Sequence, residues 1–230
     1  MTAERPDRPP AAPLSPAQRV LVLSVTAAVV CLNWFPSPQL KSAARHLAGA
    51  PERIGPWLLV EHFFLYTTLT ALAALLAWWW LARRGLLPPP RASLSLGDRR
   101  RTIVAGLVVG LVVSAVVLSL AGASGQARFH SPEVDAWSGL GNAVSNLCEE
   151  IVFSGLVLLA LVAVTGRRAV AVVLASLLVA AVHTQYPLEL RALVAVNGAL
   201  MASVRLWTGS LWTSWIAHQL SDLVIDAVLL

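Results

Sequence analysis

The feature that most restricts this chain is a succession of apolar stretches long enough to cross a lipid bilayer. A hydrocarbon core about 30 Å thick is crossed by roughly 20 mostly apolar residues as a helix, with a working range of about 17–25. Stretches at Val20–Phe35, Trp57–Leu81, Thr102–Ala121, Gly139–Thr165, Ala169–His183, Ala192–Leu206 and Leu211–Leu230 meet or approach that length. The fifth and sixth are short and interrupted by polar residues, so a tilted or partly re-entrant pair, sheltered by its neighbours, is expected there. The fold class that follows is all-α, a polytopic transmembrane helix bundle of six to eight spans, with seven preferred. Composition agrees. Hydrophobic residues make up 57% of the chain and charged residues 13%, against about 25% charged in an ordinary soluble domain. That is too little charge to coat a water-facing surface, which excludes a soluble enzyme, a disordered chain and a secreted disulfide scaffold.

The remaining charge is unevenly placed. Six arginines and one aspartate between Arg83 and Arg101 sum to +5, and a basic block between two apolar runs reads as a cytoplasmic loop facing anionic lipid. No nucleic-acid partner is expected, because no reading motif accompanies the charge. With seven spans and the N-terminus inside, 12 of the 17 basic residues fall on the cytoplasmic side. The favoured topology is therefore a multi-pass cell-membrane protein with a cytoplasmic N-terminus and an extracytoplasmic C-terminus. Trp78, Trp79 and Trp80 would then form an inner aromatic belt, with Trp57 and Trp137 at the outer interface. Residues 1–19, rich in Pro and Ala, read as a disordered cytoplasmic tail. Residues 20–230 read as a single transmembrane domain, with a motif-bearing core at about 137–224. Val20–Phe35 runs into Trp34, Phe35 and Pro36 and has no small-residue cleavage site, so it reads as a retained helix. Cys31 and Cys148 lack metal-ligand spacing.

Ionisable groups inside a membrane cost several kcal/mol on insertion scales and need a partner or a purpose. Asn142, Asn146, Glu149, Glu150 and Ser154 recur at helical spacings in the fourth span and form one polar stripe. His183 ends the fifth. Ser214, His218, Asp222 and Asp226 follow one another at four-residue intervals in the seventh. At 1.5 Å per residue, Glu149 lies about 24 Å from the Thr165 end of its span and His183 about 21 Å beyond Ala169, while His218 and Asp222 lie about 10 and 16 Å beyond Leu211. These depths permit the groups to meet. Lone polar residues such as Asn142, Asn146 and Ser214 usually serve as packing contacts between helices. Adjacent glutamates in low dielectric instead demand a proton or a cation, which points to function. Glu61 and His62 read as interfacial.

Cys148-Glu149-Glu150-Ile151-Val152-Phe153-Ser154-Gly155 resembles the first motif, Glu-Glu-x-x-x-Arg, of the CAAX-prenyl-protease and bacteriocin-processing (CPBP, or Abi) family of intramembrane glutamic endopeptidases. Val179-Ala180-Ala181-Val182-His183 resembles the second motif, Phe-x-x-x-His. His218-Gln219-Leu220-Ser221-Asp222 resembles the third, His-x-x-x-Asn, and follows the family-like run Thr208-Gly209-Ser210-Leu211-Trp212. The resemblance implies a membrane hydrolase in which Glu149 activates a water, Glu150 supports it, His183 helps hold the water and His218 stabilises the oxyanion. It implies no metal and no cofactor, and partners limited to membrane lipids and a peptide or lipidated substrate. Three departures stand out: Ser154 replaces the motif arginine, Val179 the phenylalanine and Asp222 the asparagine. An ionised Asp222 has no proton to give an oxyanion, although a protonated one could donate, or its carboxylate could orient His218 one turn away. Arg205, Arg191 and Arg128 are the candidates to replace the missing cation.

Two other functions fit the same residues. Glu149, Glu150, His218, Asp222 and Asp226 could bind Mg2+ or another divalent ion and an isoprenoid or lipid diphosphate, since carboxylates one turn apart suit an oxygen-ligated ion. A non-catalytic CPBP-like membrane regulator or scaffold is the third reading, prompted by the lost arginine and asparagine.

Overall fold

The computed structural model describes residues 13–34, 68–123, 136–184 and 188–229. Among them every regular element is a helix. In chain order these are α1 (Pro16–Trp34), α2 (Thr68–Arg83), α3 (Pro90–Ser93), α4 (Arg99–Ala123), α5 (Ala136–Glu150), a π-helical segment (Ile151–Val157), α6 (Leu158–Thr165), α7 (Arg168–Val182), α8 (Leu188–Thr208) and α9 (Leu211–Leu229). Each apolar stretch read from the sequence has a helix on it. The parts of those readings at Phe35, Trp57–Thr67 and Leu230, the segment Lys41–Arg53, and Glu61, His62 and Arg128 lie outside the described residues.

The first helix begins at Pro16, inside the tail expected from sequence. Ser15 N–H donates to Gln18 Oε1 at 2.8 Å, and Gln18 N–H donates back to Ser15 Oγ at 3.3 Å. This reciprocal cap satisfies two donors that a helix N-terminus otherwise leaves orphaned, and proline is preorganised for the first helical position.

The bundle is arranged for lipid. On α4, Val104, Val108, Leu111 and Val112 are exposed, whereas Thr213, Ser214 and Ser221 of α9 are completely buried and Arg205 of α8 is 2% exposed. Apolar side chains outside and polar ones inside suit a hydrocarbon solvent, where polar groups must find partners between helices. By length and composition, 99–120, 140–165 and 190–208 can each cross a membrane. The apolar stretches at Pro16–Leu32, Thr68–Arg83 and Arg168–Val182 are shorter.

Helix α9 is the axis of the site. It packs against α4 on one side and against α5 and α8 on others, while α7 pairs with α8, and α1 and α2 cover the π-helical segment and α6. The α4–α9 approach is very close. A Cβ at Gly106 would lie 2.8 Å from Ile216 Cβ and 2.9 Å from the Thr213 carbonyl, and one at Gly110 would lie 2.9 Å from the Ala217 carbonyl. Gly106 and Gly110 thus form the small-xxx-small seam through which membrane helices bring their backbones together.

The inner aromatic belt needs a correction. Trp79 is 46% exposed and Trp80 partly so, each with an arginine over its ring: Arg83 over Trp79 and Arg84 over Trp80, both 4.1 Å from the centroid. Trp78 is instead fully buried. It shares a helix face with Ala71 and Ala74, its indole N–H donates to the Pro88 carbonyl at 2.7 Å, and its ring fills the space left by Gly155, where a Cβ would come within 2.7 Å.

Candidate active site

The run Thr208–Trp212 sets where α9 starts. Gly209 takes φ +76°, a left-handed conformation that ends α8, and its N–H caps the Arg205 carbonyl at 2.9 Å. Ser210 Oγ then donates to the Ser95 carbonyl at 2.9 Å, and Trp212 Nε1 donates to the Leu94 carbonyl at 2.7 Å. These bonds pin the start of α9 to the connection between α3 and α4. Two turns later, His218 and Asp222 face α5, to which Trp215 is tied by its indole bond to the Ala143 carbonyl at 2.8 Å.

On the facing rod, Glu149 and Glu150 end α5 immediately before the π-helical segment, in which Leu158 N–H reaches back to the Phe153 carbonyl. Such segments occur frequently at functional sites, because the extra residue per turn re-aims the side chains around it. The two glutamates occupy different environments: Glu150 is 5% exposed, whereas Glu149 is only partly buried.

Glu150 Oε1 accepts from His218 Nδ1 at 3.0 Å. The other ring nitrogen, Nε2, faces Asp222 Oδ2 at 3.6 Å. Asp222 Oδ2 in turn accepts from the Asn146 amide at 2.9 Å, and the same amide reaches Gln219 Oε1 at 3.2 Å. Glu149 interacts electrostatically with His218, His183, Asp222 and Glu150. Four ionisable positions from three segments of sequence therefore act on this one carboxylate. His183 lies one residue past the end of α7, and its Nδ1 donates to the Val179 carbonyl at 2.7 Å. Because a carbonyl can only accept, the ring carries its proton on Nδ1 and presents Nε2 as the remaining functional atom. That bond uses only the backbone of residue 179, so valine can stand there.

Two residues expected to be packing contacts belong to the cluster. Asn146 holds Asp222, and Ser214, together with Ser154, flanks the Glu150 carboxylate. Gln219 and Trp215 were not singled out in the sequence; their position on the α9 face next to His218 and Asp222 was the available signal. Of the candidate cations, Arg205 acts electrostatically on Glu150, and Arg128 lies outside the described residues. Arg191 donates to the Thr184 carbonyl at 3.0 Å. Among the described residues, no group of three His, Cys, Asp or Glu side chains is disposed to hold a metal ion. The side chain of Asp226, a member of the metal-binding alternative, is outside them, as is that of Trp137.

The family model described as type II CAAX prenyl endopeptidase Rce1-like matches residues 134–224, the segment that holds Glu149, Glu150, His183, His218 and Asp222. The match supports the resemblance of that segment to the CPBP family. No curated protein and no solved structure matches the chain. At the departures from the motifs, Ser154 flanks a Glu150 carboxylate on which Arg205 acts electrostatically, and Asp222 accepts from the Asn146 amide.

Proposed function

We propose that the chain is an intramembrane endopeptidase that hydrolyses peptide bonds of a membrane-associated or lipidated substrate. The observation that carries this reading is the convergence of Glu149, His183 and His218 from three helices, with both imidazoles oriented through Nδ1. In this mechanism a water sits between the Glu149 carboxylate and His183 Nε2. Glu149 takes its proton as the water oxygen attacks the peptide carbonyl, and the oxyanion forms against His218 Nε2–H. Glu149 then returns the proton to the leaving amine as the carbon–nitrogen bond breaks. Glu150 fixes the imidazole from behind, and Asp222, at 3.6 Å, stands beside the same N–H without closing a hydrogen bond to it.

Replacing Glu149 with Gln removes the base with little change in shape, and loss of a general base costs about 10²–10⁴-fold in rate. The test is mass spectrometry of membrane peptides and lipids from cells carrying the parent or the Glu149→Gln chain, with membranes assayed in the presence and absence of chelator. Peptide products that disappear in the variant and persist in chelator support the proposal. Equal products from both chains overturn it, and lipid products lost on chelation favour the metal-dependent reading.

A further inference from the structure

Between α4 and α8, on the side of α4 away from its glycine seam, lies an open groove of about 490 Å³ lined by Val104, Val108, Leu200, Val204 and Trp207. Its size is within the roughly 300–1,000 Å³ of ordinary ligand pockets. Only 22% of the α4 segment at 99–120 is buried within the protein, so the groove opens on the surface that hydrocarbon would cover. Ser203 is its one uncharged polar lining residue, and a cation closes one end: Arg101. The Arg101 guanidinium is held in place, with Cζ 4.2 Å from the Trp207 ring centroid and Nη2 donating to the Trp207 carbonyl at 2.8 Å. Arg99 and Arg100 are exposed in the same first turn of α4. The carboxylate at this corner, Asp98, accepts the Arg101 backbone N–H at 3.1 Å, so three arginines face one acid there. The orphan N–H groups of the helix terminus add to the positive field.

We propose that this groove is a binding site for an anionic phospholipid, with one acyl chain along Val104, Val108 and Leu200 and the phosphate on Arg101. The match is one of sequence along an axis: apolar walls for the length of the groove, then a preoriented fork of N–H donors at the depth where a headgroup begins. A zwitterionic lipid would fill the same walls but gain less from three arginines. The site is separate from the Glu149 cluster and does not rest on any catalytic activity.

Trp207 is 62% exposed at the mouth of the groove and reports occupancy. The protein is reconstituted in phosphatidylcholine vesicles containing a minor fraction of chain-brominated phosphatidylglycerol, or the same fraction of chain-brominated phosphatidylcholine. The Trp207 signal is taken as the difference from Trp207→Phe. One basic residue at an anionic interface is worth about fivefold in partition, so the brominated phosphatidylglycerol quenches Trp207 at least that much more effectively. Arg101→Gln lowers this preference about fivefold, and Ser203→Leu, which fills the groove and leaves the charges alone, lowers quenching by the anionic lipid. Equal quenching by the two lipids in the parent overturns the proposal, as does an unchanged preference in Arg101→Gln, which would leave Arg101 as a cap on α8 and nothing more. If Arg101→Gln does not fold, Ser203→Leu decides, and unchanged quenching there overturns the groove assignment.

Discussion

His218 Nδ1 donates to Glu150 Oε1 over 3.0 Å, so the histidine of the third motif is held by the second glutamate of the first. This divides the work of two adjacent carboxylates. Glu149 is partly buried and interacts electrostatically with both histidines, whereas Glu150 is buried and hydrogen-bonded to one of them. Glu150→Gln retains an acceptor for the imidazole, but Glu150→Ala leaves a buried donor unsatisfied at a cost of about 1–3 kcal/mol. Thermal unfolding in detergent should show the alanine variant clearly less stable and the glutamine variant close to the parent. Peptide cleavage should fall in both. An alanine variant as stable as the parent would remove Glu150 from its orienting role.

Asp222 stands where the CPBP third motif has asparagine. Its Oδ2 already accepts from Asn146 and stands 3.6 Å from His218 Nε2, so in the proposed mechanism it would compete, as a carboxylate, with the oxyanion for the same N–H. Asp222→Asn can keep an oxygen towards Asn146 and turn an amide donor towards the oxyanion. Since one such donor is worth about 10²–10³ in rate, turnover should rise towards that limit, with a smaller change in KM. Asn146→Ala should lower turnover, because Asp222 then loses its anchor. Steady-state kinetics on one peptide substrate would decide, and a slower Asp222→Asn enzyme would mean that the carboxylate itself is required.

Most of the fold was legible because apolar length is a local property: the helices from α4 to α9 lie within a few residues of the stretches read from sequence. The cluster was legible because Glu149, Glu150, His183, His218 and Asp222 are expensive in lipid and call for partners there. Contacts that depend on three-dimensional placement were not. Asn146 looked like an ordinary packing residue until Asp222 appeared beside it, Trp78 looked like its two neighbours until the π-helical segment set Gly155 against it, and nothing in the sequence ranked Arg205 above Arg191. The glycine spacing at Gly106 and Gly110 was readable but said nothing of which helix it met.

Arg205 is 2% exposed, and its Nε has no hydrogen-bond partner among the described residues; neither has Glu150 Oε2. The Glu150 carboxylate favours the charged Arg205 electrostatically without a direct ion pair, and a buried charge without such an opposite charge nearby is costly. Arg205→Gln should therefore lower stability, measured by reversible denaturation in detergent micelles, with His218 still paired to Glu150. Ser154→Arg returns the cation from the motif position next to Glu150 and should recover part of the loss in the Arg205→Gln background. An Arg205→Gln variant with parental stability would show that Glu150 does not depend on this cation.

The seam between α4 and α9 gives the most distant control over the site. The atoms that a Cβ at Gly106 or Gly110 would meet include the Thr213 and Ala217 carbonyls, both at 2.9 Å, and backbone cannot rotate aside as a side chain can. Gly106→Leu or Gly110→Leu must push α4 away from α9, an overpacking cost of about 1–3 kcal/mol. Because α9 carries His218 and Asp222, the displacement also reaches the catalytic geometry, where a misplacement of about 1 Å can cost 10²-fold in rate. Both variants should lose far more cleavage activity than thermal stability. Gly122→Ala, on the same helix with open space around the added methyl, should change neither. Equal proportional losses of folding and activity in the seam variants would reduce the glycines to a purely structural role, whereas a well-folded, inactive Gly110→Leu protein would place the seam in control of how α9 presents its histidine.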